Sequence, residues 1–197
     1  MWKNAEDFLR KDKHIAPLIQ KWGSCTISPI KKNKYFEDLV DAICSQQLSV
    51  KAAKTIFERV KILLVTITPE AILNKTDQEL RDCGLSWQKV SYLKDLSSKV
   101  KNKEVDLDKI QNLSDLEIIT TLVKVKGIGR WTAEMFLMFS LARPDVFPLD
   151  DLGIKSGFEK VTKTKWDKKY ADKFANKHWS PYKTVASWYL WRSLENE

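Results

Sequence analysis

Cysteine is scarce: the 197-residue chain has three, Cys25, Cys44 and Cys83, an odd and widely spaced set. They offer neither a disulfide framework nor metal-ligand spacing, and they fit a reducing intracellular compartment. Only 6 glycines and 6 prolines occur, which excludes collagen-like, linker-like and low-complexity classes. No apolar run approaches the roughly 18 residues needed to span a bilayer, so no membrane partner is expected. The opening Met1-Trp2-Lys3-Asn4-Ala5-Glu6-Asp7 lacks the apolar stretch of a secretory signal. These absences predict a soluble, intracellular protein.

What is present is an ordinary globular balance, 43% hydrophobic and 30% charged, enough for a core in one domain or two small ones. The net charge is +8, from 34 Lys and Arg against 26 Asp and Glu. Such an excess suits a polyanionic partner or simply a lysine-rich solvated surface. The 8 tryptophans can fill a core, stack on bases or face cations.

The apolar pattern is helical nearly throughout. Phe36, Leu39, Val40, Ile43 and Cys44 recur at helical spacing and predict a helix ending near Ser45-Gln46-Gln47. Ser49 and Ser86 are placed to cap two further helices. Thr76 to Glu79 and Ser114 to Glu117 read as capping boxes, with Gly84 closing the first of those helices. Pro181 is expected at the first position of the last helix. Residues 62–68 form the one β-rich run, cut off by Pro69, and read equally as the tail of a helix. The expected fold is all-α, about ten short helices by this periodicity.

The most informative stretch is Leu122-Val123-Lys124-Val125-Lys126-Gly127-Ile128-Gly129-Arg130-Trp131-Thr132-Ala133. A helix with its own capping box leads into Gly-Ile-Gly, and a second helix starts at once. Glycines there allow a tight turn and close approach of a ligand to the backbone. Amides at the start of the second helix form a ready phosphate site. A plain αα-hairpin, its glycines serving only helix packing, satisfies the same residues.

The match extends beyond Gly-x-Gly. Val125 to Ala133 resembles the helix-hairpin-helix of the base-excision DNA glycosylase superfamily. An aspartate follows some twenty residues later in Val146-Phe147-Pro148-Leu149-Asp150-Asp151-Leu152-Gly153-Ile154-Lys155. Ser45-Gln46-Gln47-Leu48-Ser49 upstream, and Trp179 to Lys183 with Ala186 to Arg192 downstream, resemble the 3-methyladenine DNA glycosylase branch.

The resemblance implies two helical subdomains, with the helix-hairpin-helix in one and an active-site cleft between them. Residues 29–143 would form the first; residues 1–28 and 144–197 would form the second and carry the catalytic aspartate. With 35 residues before Phe36, the N-terminal β-domain of some larger relatives is not expected. The implied partner is double-stranded DNA containing damaged bases, acted on by a monomer. Its place would be the cytoplasm or nucleoid of a bacterium, or the nucleus of a eukaryote.

The same resemblance assigns roles. Asp151 would be the essential carboxylate, stabilising an oxocarbenium-like state and orienting water; its neighbour Asp150 fits the motif less well, and Asp151 also fits a helix cap. Superfamily lyases place a catalytic lysine where this chain has Trp131, so no Schiff-base step is expected. Lys126 and Lys155 stand at other motif positions. Trp131 and Trp191 resemble pocket aromatics, which favour cationic alkylated bases by about 0.5–2 kcal/mol. Met135 stands where some relatives have tyrosine.

A cationic base is already a good leaving group, which agrees with His14 and His178 lying outside the motifs. Gln46, Gln47, Leu48 and Ser49 resemble the loop that probes the duplex and fills the gap left by a flipped base, with Gln47 and Leu48 as the wedge. Lys126, Gly127, Ile128, Gly129, Arg130 and Thr132 would contact the DNA backbone. Ala42 stands where adenine-mismatch glycosylases carry a catalytic glutamate, and the cysteine set of an iron–sulfur cluster is missing. The carbonyls of Val123, Val125 and Ile128 would bind a structural Na⁺ or K⁺; no cofactor is implied for catalysis.

The expected activity is therefore that of a monofunctional DNA glycosylase for N-alkylated purines such as 3-methyladenine and 7-methylguanine, leaving an abasic site. A non-catalytic helix-hairpin-helix damage-recognition protein, and a glycosylase for oxidised or deaminated bases, are the alternatives.

Overall fold

The computed structural model describes residues 1–195. Residues 196–197, which end the second expected subdomain, lie outside the described residues. Twelve α-helices and no strand occur among the described residues. The extra helices over the ten expected are single-turn elements such as Pro69–Leu73, too short to show a period.

The chain divides into two compact units, Ile30–Phe136 and the pair of segments Met1–Pro29 and Leu137–Glu197. The second crossing falls at Phe136, earlier than the expected Arg143. Its cause is packing: Ala142 is buried in the same cluster as Ile154, Phe158 and Tyr189, so the preceding turns belong with that core. A π-helical turn, Phe136–Ser140, occupies the crossing.

In the unit Ile30–Phe136, α3 (Tyr35–Ser45) buries Tyr35, Phe36, Leu39, Val40, Ile43 and Cys44 and packs on α4 (Val50–Leu64) and α7 (Trp87–Lys101). Ser49 caps α4 and Ser86 caps α7. Of the β-rich run, residues 62–64 are the tail of α4, which stops at Val65 with φ 60°, and 65–68 are irregular. The short α5 (Pro69–Leu73) lies against α7. Both capping boxes form, on α6 (Asp77–Asp82) and on α8 (Asp115–Leu122). The latter packs on α9 (Arg130–Met135).

The other unit has α1 (Lys3–Leu9) and α2 (Ala16–Trp22) packed on α12 (Lys183–Arg192), which also contacts α10 (Leu152–Thr162). Phe158 is its aromatic hub, meeting Trp166, Phe174 and Trp179 edge-on at centroid distances of 5.5–6.0 Å, the geometry that ring quadrupoles favour. Buried Glu6 accepts from the Cys25 amide at 2.8 Å and from Ser24 Oγ at 3.2 Å, tying α1 to the segment after α2. Pro181 precedes α12 in a turn rather than opening the helix, and the Ser180-Pro181 peptide is cis. Asp145 does the capping instead, accepting from the Lys183 amide at 3.3 Å and from Ser180 Oγ at 2.9 Å.

Candidate active site

The hairpin joins α8 to α9 within the unit Ile30–Phe136. Gly127 has φ +82°, and a Cβ there would come within 2.1 Å of the Tyr92 ring, so both the backbone and the packing exclude a side chain. A Cβ at Gly129 would meet nothing within 4 Å; this face of the turn is open. Gly129 is the N-cap of α9 and supplies no side-chain cap. The Lys126 amide is engaged, donating to Asp95 Oδ2 at 2.8 Å.

Of the expected DNA contacts, Lys126, Gly129 and Arg130 are exposed, Gly127 is half-buried, and Ile128 and Thr132 are buried. Burial removes the Ile128 and Thr132 side chains from direct contact with a backbone phosphate. Arg130 Nε is paired with buried Glu134 at 2.8 Å, one helical turn on.

The loop between α3 and α4 is brought against this hairpin. Gln46 Nε2 donates to the Gly127 carbonyl at 2.8 Å. Gln47 is exposed with φ 57°, and Leu48 is 39% exposed, as a wedge requires. Ser49 is committed to capping α4 through the Ala52 amide. A cavity of about 490 Å³ opens beside the loop, lined by Ala42, Ser45, Gln46, Gln47, Trp131, Thr132 and Met135. Trp131 is 44% exposed there, presenting indole surface to a guest. The resemblance points to the loop, Trp131 and Met135 separately; the cavity joins them.

In the other unit, Asp151 caps α10. Its Oδ1 accepts from the Ile154 amide at 2.8 Å and from Trp191 Nε1 at 2.8 Å. Capping and a chemical role are thus compatible in one side chain. Trp191 donates from its ring edge, a contact separate from the stacking by its face that the resemblance implies. The indole reaches Asp151 only because position 153 is glycine: a Cβ there would lie 2.7 Å from Trp191 Cδ1 and 3.0 Å from Asp151 Oδ1. Phe139 lies against the same indole, with centroids 5.8 Å apart. The neighbouring Asp150 is ion-paired to Lys168.

Gly153, Tyr92, Asp95 and Lys89 are not singled out by sequence reasoning. Gly153 lies inside the aspartate motif, so its small size is a signal that could have found it; the other three carry no local mark. No group of three or more His, Cys, Asp or Glu suited to a metal occurs among the described residues. For a monovalent cation at the hairpin, the Val125 carbonyl accepts from the Ile128 amide at 3.1 Å and keeps a second lone pair for a ligand. No helix among the described residues is long and apolar enough to cross a membrane.

Comparison with known proteins identifies the family. Residues 40–181 match the HhH-GPD superfamily base excision DNA repair proteins. DNA-3-methyladenine glycosylase 1 of Schizosaccharomyces pombe is 37% identical over 171 residues, covering 83% of this chain and 74% of the relative. The crystal structure of a DNA-3-methyladenine glycosidase from Bacillus halodurans superposes with a TM-score of 0.86 at 33% identity, covering 96% of this chain and 88% of that one. An S. pombe 3-methyladenine DNA glycosylase, solved in complex with abasic DNA, gives 0.83 at 34% identity, covering 97% and 96%. With the match spanning well over half the sequence, the chain belongs to the HhH-GPD superfamily of base excision DNA repair proteins.

Proposed function

We propose that this protein is a monofunctional DNA glycosylase that releases N-alkylated purines, of the 3-methyladenine and 7-methylguanine type, from double-stranded DNA. One observation carries the substrate class: the cavity beside the probing loop is walled by the exposed indole of Trp131, at the position where the superfamily's lyases place lysine. An indole face attracts a cationic base and cannot form a Schiff base.

Each part of the chain then has a task. The Gly129 end of the turn, at the N-terminus of α9, binds a DNA phosphate, and the carbonyls of Val123, Val125 and Ile128 would hold a monovalent cation that steadies this turn. Gln47 and Leu48 fill the gap in the stack. Trp131 and Met135 receive the extruded base. The N-glycosidic bond breaks with its electron pair going to the base, whose positive charge is thereby cancelled. Asp151, oriented by the Ile154 amide and the Trp191 indole, stabilises the positive charge left on the sugar. Water then adds at C1′, loses its proton and leaves an abasic site.

Base release from alkylated duplex DNA, wild type beside Asp151→Asn, tests this reading. Release by wild type and a loss of at least about 10²-fold in the folded variant are expected, the scale of removing a transition-state electrostatic partner. Equal release by both, or none by wild type with DNA still bound, overturns it.

A further inference from the structure

One face of α7 holds both of the segments assigned above to DNA. Lys89, Tyr92 and Asp95 follow one another at i, i+3 and i+6, a spacing that shares a helix face. Lys89 Nζ donates to the carbonyl of Cys44 at 2.8 Å and to that of Gln46 at 2.7 Å. These are carbonyls at the C-terminal end of α3, which a helix cannot satisfy internally. The chain turns out of the helix there, with Gln46 at φ −52°, ψ 133° and Gln47 at φ 57°, and an ammonium suits the negative end of a helix dipole.

Three residues along, the Tyr92 ring lies under Gly127. At the next step Asp95 receives the Lys126 amide at 2.8 Å and is itself held by Lys99 at 2.7 Å. The loop and the hairpin are then joined directly by the bond from Gln46 to the Gly127 carbonyl. Burial lowers the Lys89 pKa from its ordinary value; the two carbonyls compensate the ammonium for the water it has lost.

We propose that Lys89 is a positioning residue for damage recognition, holding the α3 C-terminus so that Gln46, Gln47 and Leu48 present one conformation to the duplex. Asp95 does the corresponding work for the phosphate-binding turn. The inference rests on the reading of this loop and hairpin as the DNA-contacting segments. It separates two quantities: Lys89 governs preference for damaged over intact DNA, and Asp95 governs affinity for both.

The test compares binding to a duplex carrying a tetrahydrofuran abasic-site analogue with binding to the same duplex undamaged. Lys89→Met keeps the stem and removes both donors. Its preference for the abasic duplex is expected to fall about tenfold, equivalent to ~1.4 kcal/mol, with undamaged-duplex affinity unchanged. Lys89→Arg, which retains two donors, restores the preference. Asp95→Asn lowers both affinities together and keeps their ratio.

A folded Lys89→Met with the wild-type preference overturns the proposal, as does a parallel loss on both duplexes. Should that variant fail to fold by circular dichroism, Lys89→Gln is measured the same way, and a preserved ratio overturns the proposal equally. Wild-type protein that releases no alkylpurine and shows no abasic preference refutes the proposed function and this inference with it. Release by wild type with an unaltered ratio in the variants refutes only the role of Lys89.

Discussion

At the scale of single residues, the candidate carboxylate depends on an atom that is missing. Gly153 leaves room for the Trp191 indole to donate to Asp151 at 2.8 Å. Gly153→Ala forces the indole or the carboxylate to move, because Cβ atoms do not approach other heavy atoms at 2.7 Å. Base release by Gly153→Ala should therefore fall about tenfold or more, a hydrogen bond to a charged group contributing ~1.5–3 kcal/mol. Trp191→Phe, which removes the donor and keeps an aromatic ring, should fall by a similar factor. Single-turnover release with thermal unfolding of each variant checks this; wild-type rates in both would show that the indole N–H has no part in orienting Asp151.

At the scale of elements, helix starts are set by side chains within a turn of them, which makes them legible in the sequence. The capping box of α6 places Glu79 against the Thr76 amide and hydroxyl, and these bonds, with Lys75, pull its carboxyl down to about 2. A carboxyl whose folded pKa lies below the unfolded value stabilises above the unfolded value, 4.5, and loses that contribution as pH falls through the folded one. Glu79→Gln should therefore unfold at a lower temperature than wild type at neutral pH. The gap should narrow as pH drops from 4.5 towards 2. A gap that is constant over that interval would show that the charge of Glu79 does not contribute.

The same locality explains which features of the elements are not legible in the sequence. Proline suits a first turn, and Pro181 on that ground is expected to open the last helix. The Lys183 amide instead finds Asp145, a residue far away in sequence, so the helix starts later. The single-turn helices leave no trace because a 3.6-residue period cannot be read from one turn. The boundary at Phe136 depends on which core Ala142 joins, and an alanine gives no signal of that.

At the scale of the whole molecule, the charge of +8 bears on affinity for any duplex and not on the choice of base. Phosphate contacts release counterions, so binding weakens as salt rises. Lys126, exposed on the hairpin, is expected to act in this way. Lys126→Ala should weaken binding to damaged and undamaged duplexes equally and lower the slope of log affinity against log salt by about one. An unaltered slope would place Lys126 off the phosphate path. Lys89→Met should leave that slope alone, which separates positioning from charge.

The sequence by itself determined the all-helical class, the helix starts marked by Ser49, Thr76, Ser86 and Ser114, and the hairpin from Leu122 to Ala133; Asp151 as the candidate carboxylate is what the family resemblance implies. Periodicity and capping operate within about four residues, so a linear reading captures them. The tertiary structure alone decided that Trp131, Met135, Gln46 and Gln47 wall one cavity. It also decided that Trp191 holds Asp151 across 40 residues of sequence, and that Lys89 grips the end of α3 across 43 and 45. Those bonds exist because packing brings distant helices to within about 3 Å of one another's polar atoms; a lysine or a tryptophan read singly does not disclose which carbonyl or carboxylate it will meet.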